Sequence, residues 1–515
     1  MRSRPMFSLL ICRCGRSQHI LLCWLIVAAL SLPLSANAGQ APDPDATQTN
    51  VLFGWQLRTA ASTAGDLPFW LHSNRFGAID PHSAQAGLNL SGSWHHSLDS
   101  GLTFSTRTNV LFRTASDTDL LLQEGYLQAG YGPFVLWAGR KREYFGLVHP
   151  ELSMGTMDLS TNARPMPKIT FATDGFQPVP GTRRVFYYDG GLSHGWMTDD
   201  DHRFMDHVWL HQKYLYLRFF TEDAPVVPRA GLKHFAQWGG QSDDFGISPR
   251  SLKAYRDVFF SLAGDSKEIF GGGELPNQFQ NHFGTYDFAL MFNLGRYKVS
   301  VSRQFILEDT PNARFGTPWD GMWGAWIELR PDKRTRWTAN RPDDWHTDHR
   351  PLLKAVNYEH INTLDGLTRY EHRDAEQHVN YYNHWAYLGG WTYGGRVLGN
   401  PLFFGDPDYY GVVNNQLVGH HIGLKGFAGP VDWRFFSTYT RNYGAGRTYV
   451  LDDEIVRDTG LTSRNDQWSF MLELRTTALH PALETAATMA LDVGDAHPDA
   501  FGLLLSLRWS AYGKR

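Results

Sequence analysis

The segment Phe501–Trp509, with the sequence FGLLLSLRW, decides the fold. Large apolar side chains occupy every second position and share one face: Phe501, Leu503, Leu505, Leu507 and Trp509. Ser506 and Arg508 lie on the opposite face. A period of two is that of a β-strand, and about 9–11 residues suffice for a tilted strand to cross a bilayer. The segment therefore predicts a strand with one apolar face and one polar face.

The same alternation recurs in six further segments of the chain. They are Leu102–Arg113, Tyr297–Gln304, Trp323–Arg330, Val431–Phe435, Trp468–Arg475 and Ala487–Val493. Several apolar faces end in Trp, Tyr or Phe, as at a membrane interface, and the opposite faces carry charges that suit a wet lumen. The pattern predicts an all-β fold, a single transmembrane antiparallel β-barrel of about 16–20 strands. A soluble sandwich or propeller with one wet face per strand is the alternative.

Composition excludes two other classes of protein. The chain has 515 residues, 48 Lys and Arg against 52 Asp and Glu, and a net charge of -4, which argues against a general nucleic-acid binder. A mean hydropathy of -0.37 argues against a bundle of membrane-spanning helices. The 50 glycines and 14% aromatic residues are typical of many strands joined by tight turns.

The N-terminus has the pattern of a secretory signal peptide over residues 1–38. Four arginines precede an apolar run, Ile20–Leu32, and Ala36-Asn37-Ala38 forms a cleavage signal. The run is shorter than the roughly 20 residues that a membrane anchor needs. Residues 39–50 read as a polar linker and residues 51–515 as the barrel with internal plug elements. We therefore expect a Gram-negative outer-membrane protein exported with a cleaved signal peptide.

All three cysteines, Cys12, Cys14 and Cys23, lie in the predicted signal peptide. The mature chain would then contain no thiol, which excludes disulfides, thiolate metal ligands and cysteine nucleophiles. Its stability must come from buried area and hydrogen bonding, and a closed barrel pairs every backbone group of its strands.

One segment, Ser248–Leu262, predicts a helix instead of a strand. Ser248 is a plausible N-cap, Pro249 suits the first helical position, and apolar residues then recur at helical spacing. Two placements are open: a helix on an extracellular loop, or a helix packed in or against the lumen.

Signals for catalysis or metal binding are weak. His207 and His211 stand four apart, but the neighbouring alternation indicates a strand, where such spacing separates side chains too widely for one ion. The run Asp199–Asp201 is more typical of a solvated turn than of a calcium site. His384 and His421 belong to His-rich segments without a nucleophile motif such as G-x-S-x-G. We expect no enzyme activity, no metal and no cofactor.

Aromatic, amide and histidine residues cluster in several glycine-punctuated segments. Carbohydrate-binding sites typically combine these residue types, because the C–H faces of sugars stack on aromatic rings and their hydroxyls form hydrogen bonds with amides, carboxylates and arginine. The alternative is that these residues form membrane girdles and lumen-filling networks. The predicted carbohydrate-binding surface is Trp196, His234, Trp238, His282, Trp391 and Arg396.

Several strings together resemble the capsule assembly protein Wzi family over nearly the whole mature chain. They are LPFWLHSNRFG (67–77), YFG (144–146), ELSMGT (151–156), STNARPMP (160–167), SRQFILED (302–309), TPWDGMWGA (317–325), NYEHINT (357–363) and GGRVLGNPLF (394–403). The most specific part is the motif Asn162, Ala163, Arg164 and Pro165.

The resemblance implies an outer-membrane barrel of 18 strands whose lumen is plugged by short helices and loops, the helix at Ser248–Leu262 being one such element. It implies a surface lectin that binds and anchors capsular polysaccharide or exopolysaccharide during capsule assembly. The partners would be that polysaccharide and outer-membrane lipid, with no nucleic acid, and the protein is expected to be a monomer. A channel for oligosaccharide diffusion is the alternative function.

Overall fold

Eighteen antiparallel strands close into a β-barrel in the part of the chain that the computed structural model describes. The described residues are 49–82, 84–243, 246–262, 280–308, 314–330, 351–365, 380–405, 411–445, 449–451, 454–457 and 464–514. The predicted signal peptide, most of the linker and residues 331–350 lie outside them.

The barrel strands follow one another around the wall in chain order. They are β1 (Thr49–Ser62), β2 (Gln85–Ser97), β3 (Leu102–Thr114), β4 (Thr118–Tyr131), β5 (Phe134–Arg140), β6 (Pro167–Thr173), β7 (Phe186–Trp196), β8 (Asp206–Phe219), β9 (Val226–Ser242), β10 (Asn281–Leu294), β11 (Tyr297–Leu307), β12 (Gly321–Leu329), β13 (Ala355–Asn362), β14 (Leu417–Ala428), β15 (Val431–Asn442), β16 (Asn465–His480), β17 (Leu483–Gly494) and β18 (Ala500–Lys514). The predicted fold class is confirmed.

Shorter elements lie in the connections between these strands. They are the helices α1 (Phe69–His72) and α2 (Leu252–Phe260), a 3-10 turn (Asp200–His202), and the short strands Gln177–Pro178, Gly246–Ile247, Thr392–Tyr393, Arg396–Val397, Phe404–Gly405, Val412–Asn414, Tyr449–Leu451 and Glu454–Arg457. In the described ranges, neither helix has the length and apolar character needed to cross a bilayer.

The first strand pairs with the last and closes the barrel. The β1–β18 register runs antiparallel from Asn50 opposite Lys514 to Ser62 opposite Gly502. β1 pairs on its other edge with β2, so its backbone is satisfied on both sides. Closure removes the open edges that would expose unpaired backbone to lipid.

The predicted alternation matches the wall of the barrel. In β18, Phe501, Leu503 and Leu505 are exposed on the outside, and Leu504 is buried on the lumen side. Trp323 and Trp468 are likewise exposed on the outer face. The outer wall is therefore an apolar surface, as lipid contact requires.

The two ends of the barrel differ in the length of their connections. The end that holds Thr49 and Lys514, here called the short-turn end, has tight turns such as 132–133, 295–296, 429–430 and 481–482, although the connection 330–354 is longer. The opposite end, here called the mouth, carries the connections 63–84, 141–166, 243–280 and 363–416.

The plug loop, residues 141–166, enters the lumen from the mouth. Glu359 on β13 accepts a 2.7 Å hydrogen bond from the backbone N–H of Met154, and Gln304 on β11 accepts one of 2.6 Å from that of Met157. Asn357 donates to the carbonyl oxygen of Leu152 at 2.9 Å. Polar wall residues thus satisfy the buried backbone groups of the plug loop.

A buried ion triad fixes the middle of the plug loop. Lys233 Nζ on β9 lies 2.6 Å from Asp158 Oδ2 of the plug loop and 3.1 Å from Asp287 Oδ2 of β10. Thr285 donates to the same Asp158 carboxylate at 3.0 Å. The lysine and Asp158 side chains are fully buried, so each charge depends on its partners.

The predicted helix exists but does not occlude the lumen. It spans Leu252–Phe260, and Ser251 caps it by accepting a 3.1 Å hydrogen bond from the N–H of Ala254. Its buried residue Val258 packs with Ala236 and Trp238, whose side chains point outward from β9. The expectation of an occluding helix is corrected: aromatic residues on the outer wall hold it outside the barrel.

Candidate functional site at the barrel mouth

A cavity of about 1040 Å³ opens at the mouth, above the plug loop. Its walls come mainly from residues 64–82, the facing ends of β3 and β4, the end of the plug loop, residues 389–405 and 411–413, and the turn between β17 and β18. Such a volume accommodates several sugar rings or a ligand of similar size.

Aromatic rings form one side of this cavity. Phe69 and His497 are stacked with their ring centroids 6.2 Å apart, and Phe404 lies 4.8 Å from His497. The backbone N–H of Phe69 donates to Asp492 Oδ2 at 2.7 Å, which fixes α1 against β17. The rings are thus held on the scaffold and can offer a stacking surface.

Arg396 stands on another side of the cavity. Its Nη1 donates to the carbonyl oxygen of His72 at 3.2 Å, and its Nη2 donates to that of Ile79. Burial lowers the pKa of Arg396 to about 10, with the nearby carboxylate of Asp80 opposing that shift. The residue remains a cation at neutral pH while it holds two segments of the mouth together.

Arg164 is a further cation of the cavity, and it has fewer hydrogen-bond partners than Arg396 among the described residues. Its guanidinium lies over the ring of Tyr393 at 5.5 Å, and its buried Nε has no hydrogen-bond partner in the part of the chain that the structure describes. Within the described residues, neither Arg164 nor Arg396 forms an ion pair. Both are therefore able to meet an anionic group that enters the cavity.

Carboxylates also line the cavity. Asp80 Oδ2 lies 3.3 Å from Arg113 Nη2, and Asp119 accepts a 3.0 Å hydrogen bond from Arg113 Nε. Asp66 Oδ1 lies 2.7 Å from His82 Nδ1. The cavity thus combines hydrogen-bond acceptors, donors and rings.

Two cavity histidines stay neutral at physiological pH. Burial lowers the pKa of His497 to about 4, with Asp66 opposing the shift. Burial, followed by the charge of Arg396, holds the pKa of His72 well below its usual value. A neutral imidazole can both donate and accept a hydrogen bond, as a sugar hydroxyl can.

Only one of the six predicted carbohydrate-binding residues lines the cavity, and that is Arg396. Trp391 is fully buried in the lumen, where its Nε1 donates to the carbonyl oxygen of Asp158 at 2.6 Å. The other four lie together on the outer wall beside α2: Trp196, His234, Trp238 and His282. Their role in binding stays a prediction.

The resemblance motif lies at the return of the plug loop to the mouth. Asn162 and Arg164 line the cavity, whereas Ala163 and Pro165 are buried. Asn162 donates to the carbonyl oxygen of Val397 at 3.0 Å. The motif therefore joins the plug loop to the strand that carries Arg396.

The histidines considered for catalysis have structural partners. His421 is fully buried, and its ring nitrogens lie 2.8 Å from Thr438 Oγ1 and 2.9 Å from the carbonyl oxygen of Leu152. His384 Nδ1 accepts hydrogen bonds from the backbone of Ala386 and Tyr387. Across the described ranges, no group of three or more His, Cys, Asp or Glu residues is placed to hold a metal ion.

Sequence reasoning missed most of the cavity. Phe69 and His72 stand in one of the resemblance strings, but nothing in their local pattern indicates contact with His497 or Phe404. These residues lie in loops without periodicity, and more than 300 residues separate the first pair from the second. Their proximity is a product of barrel closure, which no local pattern encodes.

Comparison with solved structures assigns the architecture. Wzi, an outer-membrane protein involved in group 1 capsule assembly in Escherichia coli and described as a carbohydrate-binding β-barrel, is similar over 96% of this chain and 89% of its own, at 15% identity and a TM-score of 0.55. The fold is that of an outer-membrane barrel. At this identity the likeness establishes the fold alone.

Other comparisons add less. Two Pseudomonas aeruginosa outer-membrane proteins, OccK5 and OprD, are each 8% identical, with TM-scores of 0.44 and 0.43, and cover 90% and 93% of this chain and 98% and 99% of their own. Those scores are too low to support an argument. No protein-family model matches the chain, and no curated protein matches it in sequence.

Outer-membrane barrels have short periplasmic turns and longer extracellular loops. By that rule the short-turn end faces the periplasm and the mouth faces the outside. The cavity with Arg164 and Arg396 then opens toward the cell surface.

Proposed function

We propose that this protein is a surface lectin that binds exported polysaccharide in the mouth cavity and anchors it at the outer membrane. The single observation that carries the proposal is the composition of the cavity. Stacking rings, two cations that have no ion-pair partner among the described residues, and several carboxylates share one opening above an occupied lumen.

The chemistry of the cavity fits a glycan with acidic groups. Phe404 and His497 offer ring faces to the C–H side of a sugar, and the carboxylates of Asp66 and Asp80 can accept hydrogen bonds from hydroxyls. Arg164 offers a planar fork of donors to a uronate or similar anion. A long polymer would bind tightly through repetition of weak contacts.

Binding by the purified barrel tests the proposal. The probes are polygalacturonate, an acidic polymer, and dextran, a neutral one, at fixed ionic strength because salt screens the charge term. Arg164→Gln should weaken polygalacturonate binding by about tenfold to a hundredfold, since a charge-assisted hydrogen bond is worth about 1.5–3 kcal/mol, and should leave dextran binding unchanged. Arg183→Gln, an exposed residue at the short-turn end, is the matched control.

A cellular measurement completes the test. Cells that lack the protein should still make polysaccharide but release it into the medium, and Arg164→Gln should release an intermediate amount. A normal surface layer in the deletion strain, together with no retention of either polymer by the purified barrel, would overturn the proposal.

Diffusion of oligosaccharides is the second candidate. Residues that occupy the lumen, such as Met154, Met157 and Trp391, are buried. The backbone of Met154 and Met157 is hydrogen-bonded to the wall, and Trp391 donates to Asp158 of the plug loop, which favours retention over passage. Steady conductance of the native barrel in planar bilayers, reduced by added oligosaccharide, would favour the channel instead.

A further inference from the structure

Two segments that leave the mouth fold back over the outside of the barrel. They are residues 247–262, which contain α2, and residues 314–319, and together they are here called the outer collar. The first covers β8 and β9, and the second covers β10 and β11. The two segments of the collar therefore cover parts of four neighbouring strands of the outer wall.

Aromatic contacts fix the first segment to the wall. Tyr255 of α2 lies 5.4 Å from Trp238, which meets Trp209 edge-on at 4.8 Å. Lys213 lies over the ring of Phe259 at 4.3 Å and donates to its carbonyl oxygen. The helix is thus docked and does not hang free.

The second segment is held in a similar way. Phe315 stacks on Tyr286 at 5.4 Å and meets Phe305 edge-on at 5.1 Å. Arg303, on the outer face of β11, donates to the carbonyl oxygens of Pro318 at 2.8 Å and Asp320 at 2.7 Å. Wall residues that would otherwise face lipid are used to hold this segment.

The outward surface of the collar mixes apolar and basic side chains. Leu252 is 89% exposed and Phe260 is 64% exposed. The exposed apolar set is Ile247, Leu252, Phe260, Leu262, Phe315 and Trp319. The exposed basic set is Arg250, Lys253, Arg256 and Arg314. In water, so many neighbouring apolar side chains would be unfavourable.

The position of the collar decides what surrounds it. Directly below it, toward the short-turn end, the same strands expose Leu215, Leu217, Leu232 and Phe288 as part of the lipid-facing belt. The collar begins where that belt ends, so in a bilayer whose hydrocarbon surrounds the belt the collar would lie at the level of the headgroups. Helices with this mixture of side chains lie at that depth.

We propose that the outer collar is an interfacial anchor that lies in the outer leaflet and binds the phosphate groups of the surrounding anionic lipid. Its apolar side chains enter the acyl region, and Arg250, Lys253 and Arg256 meet the phosphates. Basic residues near an anionic membrane each strengthen attachment, and arginine pairs with phosphate through two parallel hydrogen bonds. This role is separate from the mouth cavity.

Spin labels test the depth of the collar. Because all three cysteines lie at or before Cys23, an introduced cysteine is the only thiol of the mature chain. In vesicles that contain bisphosphorylated lipid A, labels at Leu252→Cys and Phe260→Cys should be more accessible to oxygen than to a water-soluble nickel chelate. Ser116→Cys, on an exposed turn of the mouth, should show the opposite order. Labels at all three sites that prefer the chelate equally would overturn the proposal.

Lipid binding tests the role of the basic residues. Native mass spectrometry of the purified barrel with bisphosphorylated lipid A should show roughly a hundredfold weaker retention in the triple variant Arg250→Gln, Lys253→Gln, Arg256→Gln. The matched control Arg183→Gln, Arg184→Gln, Arg296→Gln removes the same charge from exposed residues at the short-turn end.

The control variant should retain lipid A as the native protein does. Equal losses in the two triple variants, or no loss in the collar variant, would overturn the proposal. Loss of native retention when lipid A is replaced by its dephosphorylated form supports phosphate as the recognised group. Stable dimers that disappear in Leu252→Cys or Phe260→Cys would instead show that a second copy covers the collar.

Discussion

The plug loop and the outer collar leave the barrel at the same end but fold onto opposite faces of its wall. The plug loop meets carboxylates, amides and Lys233, which satisfy its backbone and its Asp158. The collar meets Trp209, Trp238 and Tyr286, which supply ring surface. A loop that enters the lumen needs polar partners because no water replaces them, whereas a loop on the outside needs apolar contact.

The buried triad offers the most severe test of that contrast. Lys233→Met leaves Asp158 and Asp287 as neighbouring carboxylates without their cation. We therefore expect the free energy of unfolding, measured in urea, to fall by about 3–5 kcal/mol. Loosening of the plug loop should also raise conductance in planar bilayers.

Lys213→Met is the matched substitution on the outer side of the adjacent strand. It removes a cation–ring contact and a hydrogen bond at the collar, so we expect the free energy of unfolding to fall by about 1 kcal/mol. Conductance in planar bilayers should not increase. If the free energy of unfolding falls equally in both variants, the contacts on the lumen side of the wall contribute no more to stability than those on the outer side.

The collar has its own test in Trp238→Ala. The indole is buried between Trp209 and Tyr255, so its removal should lower the free energy of local opening of the collar by about 3 kcal/mol. Hydrogen exchange should then lose protection over residues 252–260 and keep it at Met154 and Met157. Trp196→Ala, more exposed in the same cluster, should change protection little. Uniform loss of protection across the barrel would contradict separate folding of the collar.

A smaller effect is expected from pH at the mouth. The folded His497 has a pKa near 4, below the value of about 6.5 for a free imidazole, so between those values the unfolded chain binds the extra proton. The stabilising contribution is therefore complete above pH 6.5 and is lost as pH falls toward 4.

His497→Gln should reduce this pH dependence by about 1 kcal/mol, because the residue is partly exposed. The measurement is the urea midpoint at pH 7 and at pH 4.5 for both proteins. If the urea midpoint changes equally between pH 7 and pH 4.5 in the native protein and in the variant, His497 is not the titrating group.

Period-two alternation was sufficient to predict the wall. The segments around Phe501, Trp323 and Trp468 face outward as predicted, because lipid contact imposes the same rule on every strand. The same parity carries from Leu232 through His234 to Trp238 on β9, and from Leu215 back to His211 on β8. Alternation alone could thus have placed the histidines and tryptophans near α2 outside the barrel.

The cavity could not be predicted in the same way. Arg396 was chosen for its chemistry and lies in the cavity, but its partners His72 and Ile79 come from a connection more than 300 residues earlier. Loops at the mouth follow no period, and their contacts depend on which strands the closed barrel makes neighbours. A local pattern carries no record of that proximity.

Closure of the wall by β1 and β18 also sets the order of assembly. Thr49–Ser62 is among the earliest parts of the barrel to be synthesised and Ala500–Lys514 is the latest, yet the two must pair along their full length. Until the final hairpin arrives, every intermediate retains two unsatisfied strand edges, and contacts so distant in sequence form slowly. A chain interrupted anywhere before Ala500 would therefore keep open strand edges that can pair with other chains.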